Sequence, residues 1–238
     1  MNTMRRKLFT SLAMGLLVLS LASSAMAYDV LVWATGNGSG STQGVANYLL
    51  ATGILTSVTA SNNENLTLAD LLNYDAVLFF TNSCGGDMNA IGDILADYAE
   101  TGRRLVLATF TWANQGCNTL GGRIISDQIS PFVFQGTSLY TNVTMQSNDG
   151  HPYFAGVNAL SGYFHDDVML VPGAVQHATW SDGEPLLADK GNVVAVNLFP
   201  DDSFGNIGGD YDILFANCLA HLVTAVEEAS WGTVKALY

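Results

Sequence analysis

Positive charge is scarce in this sequence: eight Lys and Arg stand against 21 Asp and Glu, a formal net charge of −13. Three of the eight, Arg5, Arg6 and Lys7, lie in the first 27 residues, which hold no acid. The remainder keeps five basic residues and a formal net charge of −16. A nucleic-acid or anionic-membrane face needs clustered Lys and Arg, so neither is expected as a partner. The acidity reads as solubility, with cation binding as the alternative.

Long apolar runs are missing as well. Leu8 to Leu21 is shorter than the roughly 20 residues of a membrane span, and no later run replaces it. It follows a basic start and precedes Ala25-Met26-Ala27, the order of a secretory signal peptide. The expected organisation is a leader at 1–27, one domain over 28–229, large enough for a full core, and an appended tail at 230–238. That tail, Ser230 to Tyr238, resembles short closing segments of other secreted bacterial proteins and reads as a sorting or docking tail or as a plain terminus. The mature protein is then secreted or periplasmic, where disulfides persist. Cysteine is rare, only Cys84, Cys117 and Cys218, and one pair with one single thiol is the simplest arithmetic. No internal repeat is present.

What remains is a strand and helix pattern. Apolar runs at Tyr28 to Ala34, Asp75 to Phe80, Arg104 to Phe110 and Gly191 to Phe199 suit strands buried on both faces. Between them, helical spacing recurs at Val45, Tyr48, Leu49 and Ile54 and at Met88, Ile91, Leu95 and Tyr98, with Gly102 as a left-handed stop. Ser130 to Gly183 breaks into short alternating runs that read as antiparallel hairpins or edge strands, and a last helix is expected from Tyr211 to about Ala229, capped by Asp210. The fold class is therefore α/β: a parallel sheet with helices on both faces and a late antiparallel insertion.

Ligands of such sheets bind beyond the carboxyl ends of the strands. The loops there are Thr35 to Gln43, Thr81 to Asp87, Thr111 to Leu120 and Pro200 to Gly209, and they nominate Asn37, Ser39, Ser41, Asn82, Ser83 and Asp201 as a polar binding set. Cys84 and Cys117 fall on adjacent loops of that end, which pairs them in a disulfide, while Cys218 sits in a helical apolar stripe as a buried thiol. Histidine is also scarce, and the four do not form a zinc spacing. His151 reads as fixing a turn before Pro152, His177 as a strand-edge residue and His221 as a partly buried polar group. His165 beside Asp166 and Asp167 is the most metal-like grouping, and the acids at Asp201, Asp202, Asp210 and Asp212 lack a calcium-loop spacing, so no metal is assigned.

Two resemblances follow from these residues. Thr35-Gly36-Asn37 before a helix resembles the phosphate loop of flavodoxins and implies FMN as one alternative, although no basic residue accompanies it. Over most of the mature chain, Asp75-Ala-Val-Leu-Phe-Phe-Thr-Asn-Ser-Cys-Gly-Gly86, His151-Pro-Tyr-Phe-Ala-Gly-Val157 and Val194-Ala-Val-Asn-Leu-Phe-Pro-Asp201 resemble segments of the class I glutamine amidotransferase-like fold, including its ThuA-like branch. On that resemblance the family's nucleophilic Cys falls at Phe110 and its His at Phe199, and only the acid is kept, as Asp201. Acyl transfer lacks its thiolate and imidazole. The implied function is a non-catalytic binding or accessory module without a cofactor, taking a small molecule or a glycan. The alternative is a ThuA-like carbohydrate enzyme using Asp201 or His165 as acid or base.

The leader makes a direct prediction: exported protein begins at Tyr28. Intact mass and N-terminal sequencing check it, and material retaining Leu8 to Leu21 would make that segment an anchor.

Overall fold

The computed structural model describes residues 28–36, 39–113, 116–117 and 119–221. The expected leader at 1–27, the expected tail at 230–238 and the stretch 222–229 expected to continue the last helix lie outside them, and among the described residues that helix ends at Ala220. Ten strands form one sheet: β1 (Asp29–Thr35), β2 (Ser57–Ser61), β3 (Ala76–Thr81), β4 (Arg104–Ala108), β5 (Phe132–Asn148), β6 (Leu160–Leu170), β7 (Val175–Trp180), β8 (Pro185–Lys190), β9 (Val193–Val196) and β10 (Ile207–Gly209). The helices are α1 (Ser39–Ala51), α2 (Leu68–Leu71), α3 (Met88–Glu100), α4 (Arg123–Ser126) and α5 (Tyr211–Ala220), with single 3-10 turns at Pro152–Phe154 and Asp202–Phe204.

The strand order is β10-β6-β5-β7-β8-β9-β4-β3-β1-β2. From β2 to β9 every pairing is parallel, and from β9 to β10 every pairing is antiparallel. The antiparallel strands thus extend the parallel sheet edge to edge rather than forming an inserted unit beside it. Two runs expected as separate short strands, Val133-Phe134 and Tyr140 to Met145, belong to the single 17-residue β5. Its register on β6 shifts between Phe134 and Ser138 and again between Tyr140 and Val143, and such bulges interrupt the alternation by which a strand is read. β8 carries no sequence expectation because it opens on Pro185, a residue tolerated at the first position of a strand.

Alternation along the parallel strands splits the core in two. Val30, Val32, Leu78 and Val106 join Val45 and Leu49 of α1 and Leu214 and Phe215 of α5 in one buried cluster. Leu31, Trp33, Phe79 and Leu105 join Leu71 of α2, Ile91 and Leu95 of α3 and Ile124 of α4 in the other. Each fully buried Leu or Phe contributes about 1.5–3 kcal/mol. α3 starts where the Asp87 carboxylate accepts from the N–H groups of Asn89 and Ala90, at 3.0 and 3.2 Å. It stops at Thr101, followed by Gly102 with φ +83°. Asp210 precedes α5, but its side chain does not cap that helix: the carboxylate accepts instead from the N–H groups of Asn158 and Ala159, at 2.7 and 3.2 Å.

The two halves of the sheet are joined by a polar residue. Asn197, fully buried just past β9, donates its Nδ2 protons to the carbonyls of Asp166 (2.8 Å) and Pro185 (3.1 Å). Its Oδ1 accepts from the Asp166 N–H (2.7 Å) and the Thr109 hydroxyl (3.0 Å), and its carbonyl accepts from the Trp180 indole (2.8 Å). Both amide protons and both carbonyl lone pairs of the side chain are used. Asn197→Ala would leave four buried partners unpaired, so the expected loss is about 3–5 kcal/mol in chemical denaturation. A loss below about 1 kcal/mol would show that these bonds do not hold the halves together.

Candidate functional site

Beyond the carboxyl ends of β3, β4 and β9 lies a cavity of about 270 Å³ lined by Asn82, Phe110, Tyr140, Phe164, Phe199 and Phe204. Phe110 follows β4 and Phe199 follows β9, so the parallel half of the sheet aims both rings at one space. Tyr140 of β5 and Phe164 of β6 stand opposite each other in the antiparallel register and close the other wall. Ring centroids are 5.0 Å apart for Phe110 and Phe199, 5.5 Å for Phe110 and Phe164, and 5.6 Å for Tyr140 and Phe164. Those separations and their tilted or edge-on geometries are the favoured ones for aromatic pairs. Phe110 and Phe199 form a buried floor, whereas Tyr140 and Phe204 are 49% and 60% exposed and form an open mouth.

Of the nominated binding residues, Asn82 lines this cavity. Asp201 does not: it is buried, and one carboxylate oxygen accepts from the Ser203 N–H at 3.0 Å, which fixes the turn that presents Phe204. The Ser83 hydroxyl donates to the Gly36 carbonyl and ties two loops together. Gly36 has φ +67°, and a Cβ there would lie 2.1 Å from the Ser83 carbonyl oxygen, so glycine is required both by conformation and by space. Its N–H donates to the Glu64 carboxylate at 3.3 Å. An acid therefore occupies the anion-binding direction of this loop, which disfavours the phosphate of FMN there. Ser39 and Ser41 open α1, and Asn37 lies outside the described residues.

Cys84 and Cys117 are bonded, with Cα atoms 5.0 Å apart, and Cys218 is a buried thiol. The bridge spans 33 residues, for which loop-closure entropy gives about 3–4 kcal/mol. It joins the loop after β3 to the loop after β4, on the same side of the sheet as the cavity.

Strand alternation separates His165 from Asp166. His165 pairs through Nε2 with Asp182 at 2.7 Å, and neither it nor Asp201 reaches the cavity wall. Asp166 is buried against Ser138, whose hydroxyl donates to it at 2.7 Å, and burial raises its pKa to about 7 despite that bond and one from the Trp112 backbone. The other three histidines do converge. His177 is an interior, buried residue of β7 rather than a strand-edge one, because β7 lies between β5 and β8. Its ring centroid is 4.4 Å from that of His151, and the His221 centroid lies 5.2 Å from that of His151. His151 also fixes its turn as expected, accepting from the Tyr153 N–H through Nδ1 at 3.3 Å. Sequence spacing misses this group because its members come from a turn, a strand and a helix end. It misses Tyr140 and Phe164 for the same kind of reason, since only the β5–β6 register brings them together.

No family model matches the sequence, and no curated protein matches it. Among solved structures, a cytoplasmic protein of Salmonella typhimurium matches with a TM-score of 0.61 and 12% identity, over 80% of this chain and 97% of its own. A second cytoplasmic protein of that organism, strain LT2, matches at 0.57 and 12%, over 81% and 99%. A ThuA-like protein of Bacteroides uniformis matches at 0.56 and 13%, over 80% and 89%. The fold is ThuA-like. At these identities the likeness concerns the fold alone, and the ThuA-like architecture implied by the three sequence segments is the one observed.

Asp166 supplies a pH prediction for this ThuA-like fold. The unfolded chain releases its proton near pH 4 and the folded chain holds it to about pH 7, so this group makes stability fall as pH rises between those values. No charged side chain contributes to the shift. Asp166→Asn should therefore gain on the parent protein as pH rises, by up to roughly 4 kcal/mol at pH 8, and be near parity at pH 4. Denaturation curves of the two proteins at matched pH check this, and a difference independent of pH would refute it.

Proposed function

We propose that this chain is an exported binding module whose ligand stacks in the aromatic cavity, with a sugar ring as the expected class. The observation that carries the reading is the contact of Phe110 with Phe199 at 5.0 Å, at the positions where the amidotransferase resemblance would put a thiolate and an imidazole. Hydrocarbon rings at both positions supply neither nucleophile nor base, and acyl transfer has no starting point there. They do supply flat apolar faces of the kind that the C–H face of a pyranose covers, with Asn82 as a polar member of the wall. A cavity of about 270 Å³ suits one sugar ring rather than a long chain. The leader pattern and the Cys84–Cys117 bridge support export, and no helix among the described residues is long and apolar enough to cross a membrane.

Calorimetric titration of a panel of mono- and oligosaccharides tests the proposal. Binding of one sugar class, weakened at least roughly tenfold by Phe204→Ala and by Tyr140→Ala at the exposed mouth, is the expected result; each substitution removes a stacking face of about 1–3 kcal/mol at little cost to the fold. Sugar binding untouched by both substitutions, or ammonia release from glutamine, would overturn it.

A further inference from the structure

At the opposite end of the sheet from the cavity, near the start of β4 and the end of β8, His151, His177 and Asp189 each direct one donor atom into a space where all three lie within 4.8 Å of one another. We propose that this group is a divalent transition-metal site, of zinc type, that ties the 151–154 turn to β7 and β8. His177 is held from one side only. Its Nδ1 lies 2.8 Å from a carboxylate oxygen of Asp149, so the proton on that nitrogen is committed to Asp149. Nε2 then presents a lone pair, and what faces it at 3.3 Å is an oxygen of Asp189. Nε2 is buried and makes no hydrogen bond there. Two acceptors facing each other inside a protein require a positive centre between them.

That centre is a proton or a metal ion, and the third donor decides between them. A proton serves two acceptors, whereas here a ring nitrogen of His151, from a separate element, lies within 4.8 Å of both, close enough for a small inward shift to bring it onto an ion held between them. Zinc bonds of about 2.0 Å at tetrahedral angles place their donors about 3.3 Å apart, the separation found between His177 and Asp189. The surroundings are those of a metal site too. Asp149 holds the far nitrogen of one imidazole, and the Tyr153 hydroxyl donates to Asp189 at 3.0 Å, so two of the three donors are oriented from behind. The Arg104 guanidinium, 3.3 Å from the Tyr153 hydroxyl, places one positive charge nearby, against the two negative charges of Asp149 and Asp189. A surface depression lined by Asp149, Gln176 and His177 gives an ion access. Two imidazoles and one carboxylate favour zinc over magnesium or calcium, which take oxygen donors.

Zinc titrated calorimetrically into the chelator-treated, untagged protein tests this. The expected result is one ion bound per chain, a raised thermal midpoint, and no comparable binding of magnesium or calcium. Asp189→Asn and His177→Ala should each weaken zinc binding by at least roughly tenfold, and Asp149→Asn, which touches only the far nitrogen of His177, by roughly ten- to a hundredfold. Should His177→Ala fail to fold, His151→Ala on the half-buried ring carries the same test. Cobalt gives a readout independent of stability: visible d–d absorption of an imidazole-ligated ion in the parent protein, lost in His151→Ala. Absence of stoichiometric zinc binding would assign the positive centre to a proton on His177, and zinc binding that survives both His151→Ala and Asp189→Asn would place the ion elsewhere; either result overturns the proposal.

Discussion

The buried side chain of Asn197 is the constraint on which the rest of the molecule depends. A parallel sheet and an antiparallel sheet can share β9, but nothing in their ladders fixes how the long β5–β6 pair folds back over the carboxyl ends of the parallel strands. Asn197 fixes it by binding the backbone of Asp166 in β6, the carbonyl of Pro185 at the start of β8 and the hydroxyl of Thr109 beyond β4. Thr109 precedes Phe110, Asp166 lies two residues beyond Phe164, and Asn197 precedes Phe199 by two. Three of the five rings that line the cavity, Phe110, Phe164 and Phe199, are thus attached, within two residues, to the atoms that Asn197 holds. Its cost when unpaired inside the protein is what makes the arrangement unique, since any other register would strand the amide.

The same region shows how the chain treats its polar groups at that end. Asp201 and Ser83 serve the loops themselves, one by fixing the turn of Phe204 and the other by holding the loop after β1. The Cys84–Cys117 bridge adds a covalent tie between the loops after β3 and β4. Loops tied to one another around an apolar floor fit a ligand bound by shape and stacking, because a preformed surface loses little side-chain entropy on binding.

How much of this could be read from the sequence follows from where each signal resides. The parallel half was legible because strands buried on both faces are written as continuous apolar runs, and because Gly102 marks the end of α3 with a positive φ. The antiparallel half was legible only as to type. Bulges in β5 cut one long strand into apparent fragments, and Pro185 hid the start of β8. For the site, Phe110 and Phe199 could be placed by resemblance, as rings where a thiolate and an imidazole would stand. Tyr140 and Phe164 could not, because a register between distant strands leaves no local pattern. His151, His177 and Asp189 were opaque for the same reason, and Asp210, which looked like a helix cap, spends its carboxylate on the backbone of Asn158 and Ala159.

Arg104 connects the sheet core to the histidine cluster. It is one of five basic residues after position 27 and is almost wholly buried, where an isolated charge is expensive. Among the described residues no carboxylate pairs with it directly; its guanidinium donates to the carbonyls of His221 and Asn192 and to the Tyr153 hydroxyl. Tyr153 passes the interaction on by donating to Asp189, which faces His177, which in turn binds Asp149 at the surface. The chain of groups therefore runs from a core cation, through alternating donors and acceptors, to a half-exposed acid. Only one link in it lacks a donor, the contact of Nε2 with Asp189. A positive centre at that link would give every bond from Arg104 to Asp149 both a donor and an acceptor, so the one carboxylate of Asp189 would serve the core cation, through Tyr153, and the histidine cluster alike.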